Sequence, residues 1–161
     1  MDKKTLNTFL SELKTWIETK CACLPGYGSN FYEKGGWEGW AQVELFMYYQ
    51  NAGYDILREV QCYNDSRLRV DLIINSQIPD DNKCIRNIAV EIKCGCTTWH
   101  DTCFKSAVSK DMEKLQYLDS SYARVSLVFA ATPSQIQILE NENFRIFTNS
   151  YRTMAFGYKV L

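Results

Sequence analysis

"IRNIAVEIKC", residues 85–94, and "ARVSLVFAA", residues 123–131, are the two stretches that decide the fold of this chain. The first has apolar residues at every second position from Ile88, as a half-buried strand does, and the second is apolar or small almost throughout, which predicts a strand buried on both faces. A stripe at three- and four-residue steps predicts a helix from about Asp101 to Ser120, with Phe104, Ala107, Val108, Met112, Leu115 and Leu118 on its apolar face. Strand, helix and buried strand in succession predict a right-handed crossover between parallel strands.

The segments upstream extend this unit. "YDILREVQCY" at 54–63 and "LRVDLIIN" at 68–75 alternate with period two around the turn "NDSR", so we predict an antiparallel hairpin, joined to the next strand by the polar stretch "SQIPDDNKC". Helical periodicity predicts an amphipathic helix over roughly residues 4–20 and a second helix over Trp37–Asn51, stopped by Gly53. Breaker residues predict a loop over Cys21–Gly36. In the tail, 133–161, we read "QIQIL", "FRIF" and "FGYKVL" as possible short strands or as a terminal helix plus a strand.

Composition limits the class of protein. The 161 residues are 46% hydrophobic and 14% aromatic, which predicts one globular domain over 1–161, with an N-terminal helix in 1–20, a core at about 37–132 and a C-terminal extension over 133–161. Lys and Arg number 18 against 19 acidic residues, so a nucleic acid would have to bind a local patch. We find no apolar run of membrane-spanning length and no signal peptide pattern, and we expect a cytoplasmic protein without a membrane partner.

Seven cysteines, an odd number, favour a reducing compartment. Four residues have the spacing C-x-C-x3-H-x2-C, which could supply zinc ligands: Cys94, Cys96, His100 and Cys103. This spacing is not that of a standard zinc finger, and Cys94 falls on the apolar face of its strand. We therefore favour buried free cysteines over zinc, with His100 at a helix start or on the surface.

Strand alternation brings charged side chains together. Asp71 points away from the main apolar face of its strand, and Glu91 and Lys93 share the face opposite Ile88, roughly 7 Å apart along the strand. If the two strands pair, Asp71 lies beside Glu91, and two close carboxylates repel unless a cation sits between them. Magnesium prefers oxygen ligands and activates water for attack on phosphorus, and Lys93 would stabilise the charge that develops there.

The sequence resembles the catalytic pattern of the PD-(D/E)XK nuclease superfamily, with Asp71 followed after a gap by Glu91-Ile92-Lys93. It departs from the pattern at Val70, where the family name expects proline. The resemblance covers about Trp37–Ala131 and implies an α/β fold with a restriction-endonuclease-like αβββαβ core, a mixed central sheet flanked by helices, and here an extra N-terminal amphipathic helix. It implies a Mg²⁺-dependent nuclease, with Mn²⁺ as a substitute and DNA favoured over RNA. Asp71, Glu91 and Lys93 would be catalytic, and both carboxylates would hold the metal.

The family often places a further glutamate on the helix before the first strand, and Glu44, in an apolar and aromatic surround, is our choice as a third metal ligand, with Glu38 as the weaker rival. Helices that follow the third strand commonly aim a lysine or glutamine at the site. Lys110 and Lys114 are therefore candidate nucleic-acid contacts, with Gln116 as a weaker choice. Trp37 and Trp40 could stack on bases, but their helical spacing favours the core.

The resemblance leaves several roles open. A restriction, repair or defence nuclease and a toxin effector delivered into the cytoplasm of a target cell all fit, as do a homodimer and a protein partner such as an inhibitor or immunity protein. A second hypothesis is a catalytically silent nuclease-like fold that binds protein or nucleic acid, and a third is a zinc-stabilised interaction module. Intact Asp71, Glu91 and Lys93 favour the nuclease.

Overall fold

The chain is an α/β protein in which helices cover a six-stranded mixed sheet. The structure, a computed structural model, describes residues 5–23, 37–75, 87–148 and 154–161. In these ranges the helices are α1 (Leu6–Cys23), α2 (Trp37–Asn51), α3 (Asp101–Gln116) and α4 (Pro133–Asn141). The strands are β1 (Ile56–Val60), β2 (Val70–Ile74), β3 (Asn87–Cys94), β4 (Tyr122–Ala130), β5 (Arg145–Thr148) and β6 (Ala155–Val160).

The sheet has the strand order β1-β2-β3-β4-β6-β5. The β1–β2 and β2–β3 pairs are antiparallel, which confirms the predicted hairpin, and β3 and β4 are parallel across α3, as the crossover pattern requires. In the tail, "QIQIL" lies in α4, whereas "FRIF" and the last strand pair with each other and continue the sheet beyond β4. The predicted loop overlaps α1 at 21–23, and its remainder and the polar stretch after β2 fall outside the described residues.

Each face of the sheet carries its own core. On one face α1 and α2 pack on the alternate residues Ile88, Val90 and Ile92 of β3, while α3 and α4 supply apolar side chains to the other face. Ala89 points to that second face, where it packs with Leu115 of α3. The strand alternation expected from the sequence is therefore confirmed, and it sends Glu91 and Lys93 toward α3. None of the helices in the described ranges is long and apolar enough to cross a membrane.

Gly95 fixes the end of β3 between three elements. Its N–H donates to the Phe129 carbonyl of β4 at 2.7 Å, and its own carbonyl accepts from the Trp37 indole of α2 at 2.8 Å. A Cβ at this position would stand 2.3 Å from Oε1 of Gln135, a fully buried α4 side chain whose amide donates to the Cys96 carbonyl. Only glycine fits without displacing that side chain, so the packing holds the segment carrying Glu91 and Lys93 in place.

Candidate active site

The candidate site lies where β2 and β3 separate. The last paired residues on this side are Leu72 and Val90, and one further step in the same register would set Asp71 opposite Glu91. Instead the Asp71 carboxylate accepts the Ile92 N–H at 2.6 Å through Oδ2. Its other oxygen accepts from the Gln42 amide of α2 at 2.8 Å. The Ile92 N–H is thus bound by the Asp71 side chain and not by the backbone of the neighbouring strand. These hydrogen bonds hold the Asp71 carboxylate in one orientation where the two strands separate.

Glu91 is the most deeply buried carboxylate of the site, with only 2% of the residue exposed. The Tyr63 hydroxyl donates to its Oε1 at 2.7 Å, and the Lys114 ammonium of α3 lies 2.8 Å from its oxygens. The same ammonium stands 5.4 Å from the centre of the Tyr63 ring. A buried carboxylate needs such partners, since burial without them costs several kcal/mol or neutralises the group.

Lys93 joins the two helical layers. Its ammonium donates to Glu38 of α2 at 2.9 Å and lies 3.2 Å from Asp111 of α3. Glu38 also accepts the Cys94 N–H at 3.3 Å. Burial by itself would lower the pKa of Lys93, but the charges of Asp111 and Glu38 outweigh it and raise the pKa above the ordinary value. Lys93 is therefore a fixed positive charge at neutral pH.

The two carboxyl groups at the opening hold their protons more tightly than usual. Burial raises the pKa of Asp71 to about 6, although the Ile92 N–H and Lys114 act in the opposite direction. Burial, and then the nearby charge of Asp71, raise the pKa of Glu91 to about 7. Burial also raises the pKa of Asp111, against the attraction of Lys93. Repulsion between buried carboxylates is the condition that a bound cation relieves.

The described residues satisfy part of what an oxygen-ligand metal site needs. Four carboxylates, those of Glu38, Asp71, Glu91 and Asp111, are gathered around two ammonium groups, so two negative charges remain unbalanced when all are ionised. Nowhere in the described ranges are three or more His, Cys, Asp or Glu side chains arranged to hold a metal ion. Mg²⁺ often takes only one or two carboxylates and completes its shell with water and phosphate, so Asp71 and Glu91 fit that pattern.

Of the residues predicted from sequence, the structure brings together Asp71, Glu91, Lys93 and Lys114. Glu44 has a different environment, because its carboxylate pairs with Lys20 of α1. Lys110 is exposed on α3, where it lines a groove with Trp99 and Cys103. Gln116 is exposed as well, while Trp37 is buried in the core, as its spacing predicts.

The helix residue that reaches the site is Glu38, the rival that we ranked second. Glu38 and Gln42 are one helical turn apart and both contact the strands at the site, whereas Glu44 is two residues beyond Gln42 and so about 200° further round the helix. Tyr63 and Asp111 also belong to the site, although no sequence pattern singles them out. The only available signal for Asp111 was its position three residues before Lys114 on the same helix face.

The cysteine group is not assembled as a metal site. Cys94 and Cys96 are buried, and Cys96 Sγ lies 3.3 Å from the Thr98 hydroxyl, whereas Cys103 is exposed. His100 is the exposed N-cap residue of α3. Burial of Cys94 and the helix-start position of His100 agree with the expectations from the sequence.

Comparison with protein-family models, with curated proteins and with solved structures finds no match to this chain. Any functional conclusion must therefore come from the chemistry of the site.

Proposed function

We propose that this protein is a metal-dependent nuclease that hydrolyses phosphodiester bonds, DNA in preference to RNA, on a restriction-endonuclease-like fold. We base this on one observation: Asp71, Glu91 and Lys93 converge where β2 and β3 separate, with Glu38 and Lys114 beside them. A surface ion-pair network would not need carboxyl groups buried deeply enough to raise the pKa of Asp71 to about 6 and that of Glu91 to about 7.

Asp71 and Glu91 would hold a divalent ion, since both are buried carboxyl groups with raised pKa values and the charge of Asp71 acts on Glu91. When bound, Mg²⁺ or Mn²⁺ would polarise a phosphoryl oxygen and lower the pKa of a coordinated water molecule. Hydrogen bonds from Gln42 and the Ile92 N–H hold the Asp71 carboxylate in place, and the Tyr63 hydroxyl does the same for Glu91. These contacts supply the preorganisation that a reactive site needs.

The ammonium groups of Lys93 and Lys114 would bind the phosphate of the substrate. Lys93 is held by Glu38 and Asp111 with its charge retained, so it can stabilise the negative charge that develops on the phosphoryl oxygens without deprotonation. Lys114 contacts Glu91 on the other side and is 21% exposed, so a phosphate oxygen could share its ammonium protons. In this arrangement the acidic residues hold the cation and the two lysines bind the anion.

The test is incubation of purified protein with supercoiled plasmid, single-stranded DNA and RNA, each with Mg²⁺, Mn²⁺ or a chelator. We expect metal-dependent cleavage that the chelator stops and that Asp71→Asn, Glu91→Gln and Lys93→Ala each lose. Glu44→Gln is the matched control, because Glu44 is an α2 carboxylate paired with Lys20 rather than with the cluster. Loss of activity in Glu44→Gln alone, or no cleavage of any substrate by the wild type, would contradict the proposal.

One observation favours a second function, a nuclease-like fold that binds protein or nucleic acid without cleaving it. Both site lysines already have carboxylate partners, Lys93 with Glu38 and Asp111, and Lys114 with Glu91, as a purely structural network would. The two functions differ in their response to metal. A silent fold would bind nucleic acid or a partner equally well with chelator and would cleave nothing under any condition.

A further inference from the structure

A pocket of ≈ 310 Å³ opens beside the proposed reactive centre. It is lined by Tyr63, Asn64, Asp65 and Leu68 from the connection between β1 and β2, and by Tyr117 at the end of α3. Tyr63 belongs to both places, because it is one of the residues that line the pocket and its hydroxyl donates to Glu91 at 2.7 Å. Only the Tyr63 side chain would therefore separate a ligand in this pocket from the carboxylate of Glu91.

The lining is suited to a flat aromatic ligand with polar edges. Tyr117 is 72% exposed, an unusually open position for a large aromatic side chain, and Tyr63, the other aromatic residue of the lining, is 6% exposed. Asn64 can both donate and accept hydrogen bonds. The volume lies at the lower end of the range of about 300–1,000 Å³ for ligand pockets, which suits one ring system rather than a peptide segment.

The described residues that line the pocket include no lysine or arginine, which suits an uncharged base better than a phosphate. Asp65 brings a carboxylate, and its partner Arg67 is already bound to both of its oxygens, at 3.0 and 2.8 Å. The carboxyl end of α3, where Tyr117 stands, carries the negative end of the helix dipole. Lys114, in contrast, is not a lining residue, and its ammonium lies 5.4 Å from the centre of the Tyr63 ring, so an anion is favoured there and an uncharged ring with amino donors is favoured in the pocket.

We infer that this pocket binds the nucleobase of an unpaired nucleotide next to the scissile phosphate, so that the substrate is single-stranded or splayed nucleic acid. This inference rests on the proposed function and deepens it. A base inside a continuous duplex has both faces stacked on its neighbours, so it cannot enter such a pocket unless it is unpaired and turned out. The phosphate would lie at Lys114 while its base enters the pocket that Tyr63 and Tyr117 help to line.

The test measures binding separately from cleavage. A single-stranded oligonucleotide that carries one 2-aminopurine is titrated with protein in Ca²⁺, an oxygen-seeking cation that replaces Mg²⁺, and stacking is read as quenching of the base fluorescence. We expect quenching by the wild type and by Tyr117→Phe. In Tyr117→Ala the dissociation constant should rise about 5- to 100-fold, the range expected for loss of one base–aromatic contact.

Competition and cleavage complete the experiment. A duplex of the same sequence should compete at least about 10-fold more weakly than the single strand, since it must unpair to enter. Lys105→Ala is the control for general surface effects. Lys105 is an α3 residue that pairs with Glu142 and is not among the residues that line the pocket. Equal quenching by Tyr117→Ala, no quenching by the wild type, or equal competition by duplex would overturn the inference even if the protein cleaves DNA. Quenching that depends on Tyr117, without cleavage under any metal condition, would support the pocket and refute the nuclease.

Discussion

Replacing Glu91 with glutamine should make the protein more stable at alkaline pH while removing its activity. Glu91 is buried, and its pKa is raised from the ordinary 4.5 to about 7 by burial and by the charge of Asp71. A raised carboxyl pKa means that the folded state binds more protons than the unfolded state between these two values. The free energy of unfolding therefore falls as the pH rises through this window, and the full loss is present above about pH 7.

The size of the effect follows from the two pKa values. Each pKa unit corresponds to about 1.4 kcal/mol, so a rise from 4.5 to about 7 means that ionising Glu91 in the folded state costs about 3.5 kcal/mol relative to the unfolded chain. This figure already includes the attraction of Lys114, which loses its carboxylate partner in the variant and so offsets part of the gain. We therefore expect Glu91→Gln to be more stable than the wild type by about 1 to 3 kcal/mol at pH 8 and by less than about 1 kcal/mol at pH 5.

The assay is urea unfolding followed by tryptophan fluorescence from pH 5 to pH 8, in chelator, for wild type, Glu91→Gln and the control Glu44→Gln. The curves of wild type and Glu91→Gln should diverge above pH 5, whereas those of wild type and Glu44→Gln should run parallel, since the Glu44 ion pair with Lys20 lies outside the cluster. Parallel curves for Glu91→Gln, or a variant that is less stable by the same amount at every pH, would refute the reasoning. A stabilised but inactive variant is typical of a site whose geometry serves function rather than stability.

Three further outcomes are expected. Lys93→Ala should lower cleavage about 100- to 1,000-fold, the usual effect of removing one electrostatic stabiliser, while Lys105→Ala should cleave normally; an active Lys93→Ala would exclude the assigned role. Mg²⁺ should raise the melting temperature of the wild type at pH 8, and should raise it less at pH 5, because protons compete for carboxylates whose pKa values are about 6 and 7. Mg²⁺ should leave the melting temperature of Asp71→Asn unchanged. A rise that persists in Asp71→Asn would mean that the metal binds elsewhere. Gly95→Ala should lower the free energy of unfolding by about 1 to 3 kcal/mol, because its Cβ would stand 2.3 Å from a buried side-chain oxygen. Gly39 is at an open helix position where a Cβ would meet nothing within 4 Å, so Gly39→Ala should raise the free energy of unfolding by about 0.5 to 1 kcal/mol. Equal effects of the two substitutions in chemical denaturation would contradict the packing assigned to Gly95.

Much of the architecture could be predicted because it depends on local periodicity. The stripe from Phe104 to Leu118 and the apolar run of "ARVSLVFAA" indicate a helix and a buried strand without knowledge of any partner. The short polar connections of the hairpin and the longer helical crossover then restrict the strand directions, which the observed pairing confirms. The tail resisted this reading because "QIQIL" alternates like a strand, yet Pro133 at the first turn and the Thr132 cap start a helix there.

For the site, sequence alone determined that Glu91 and Lys93 share one face of their strand and that Asp71 points away from the main apolar face of its own, since side chains alternate with a period of two on any strand. The observed register of β2 and β3 puts Asp71 on the same side as Glu91. Only the tertiary structure decided which helix residues join them. The choice of Glu38 over Glu44 depends on how α2 is rotated about its own axis against the sheet, and apolar packing of Trp37 and its neighbours sets that rotation. Tyr63 reaches Glu91 from an irregular connection, and no periodicity predicts where such a segment folds back.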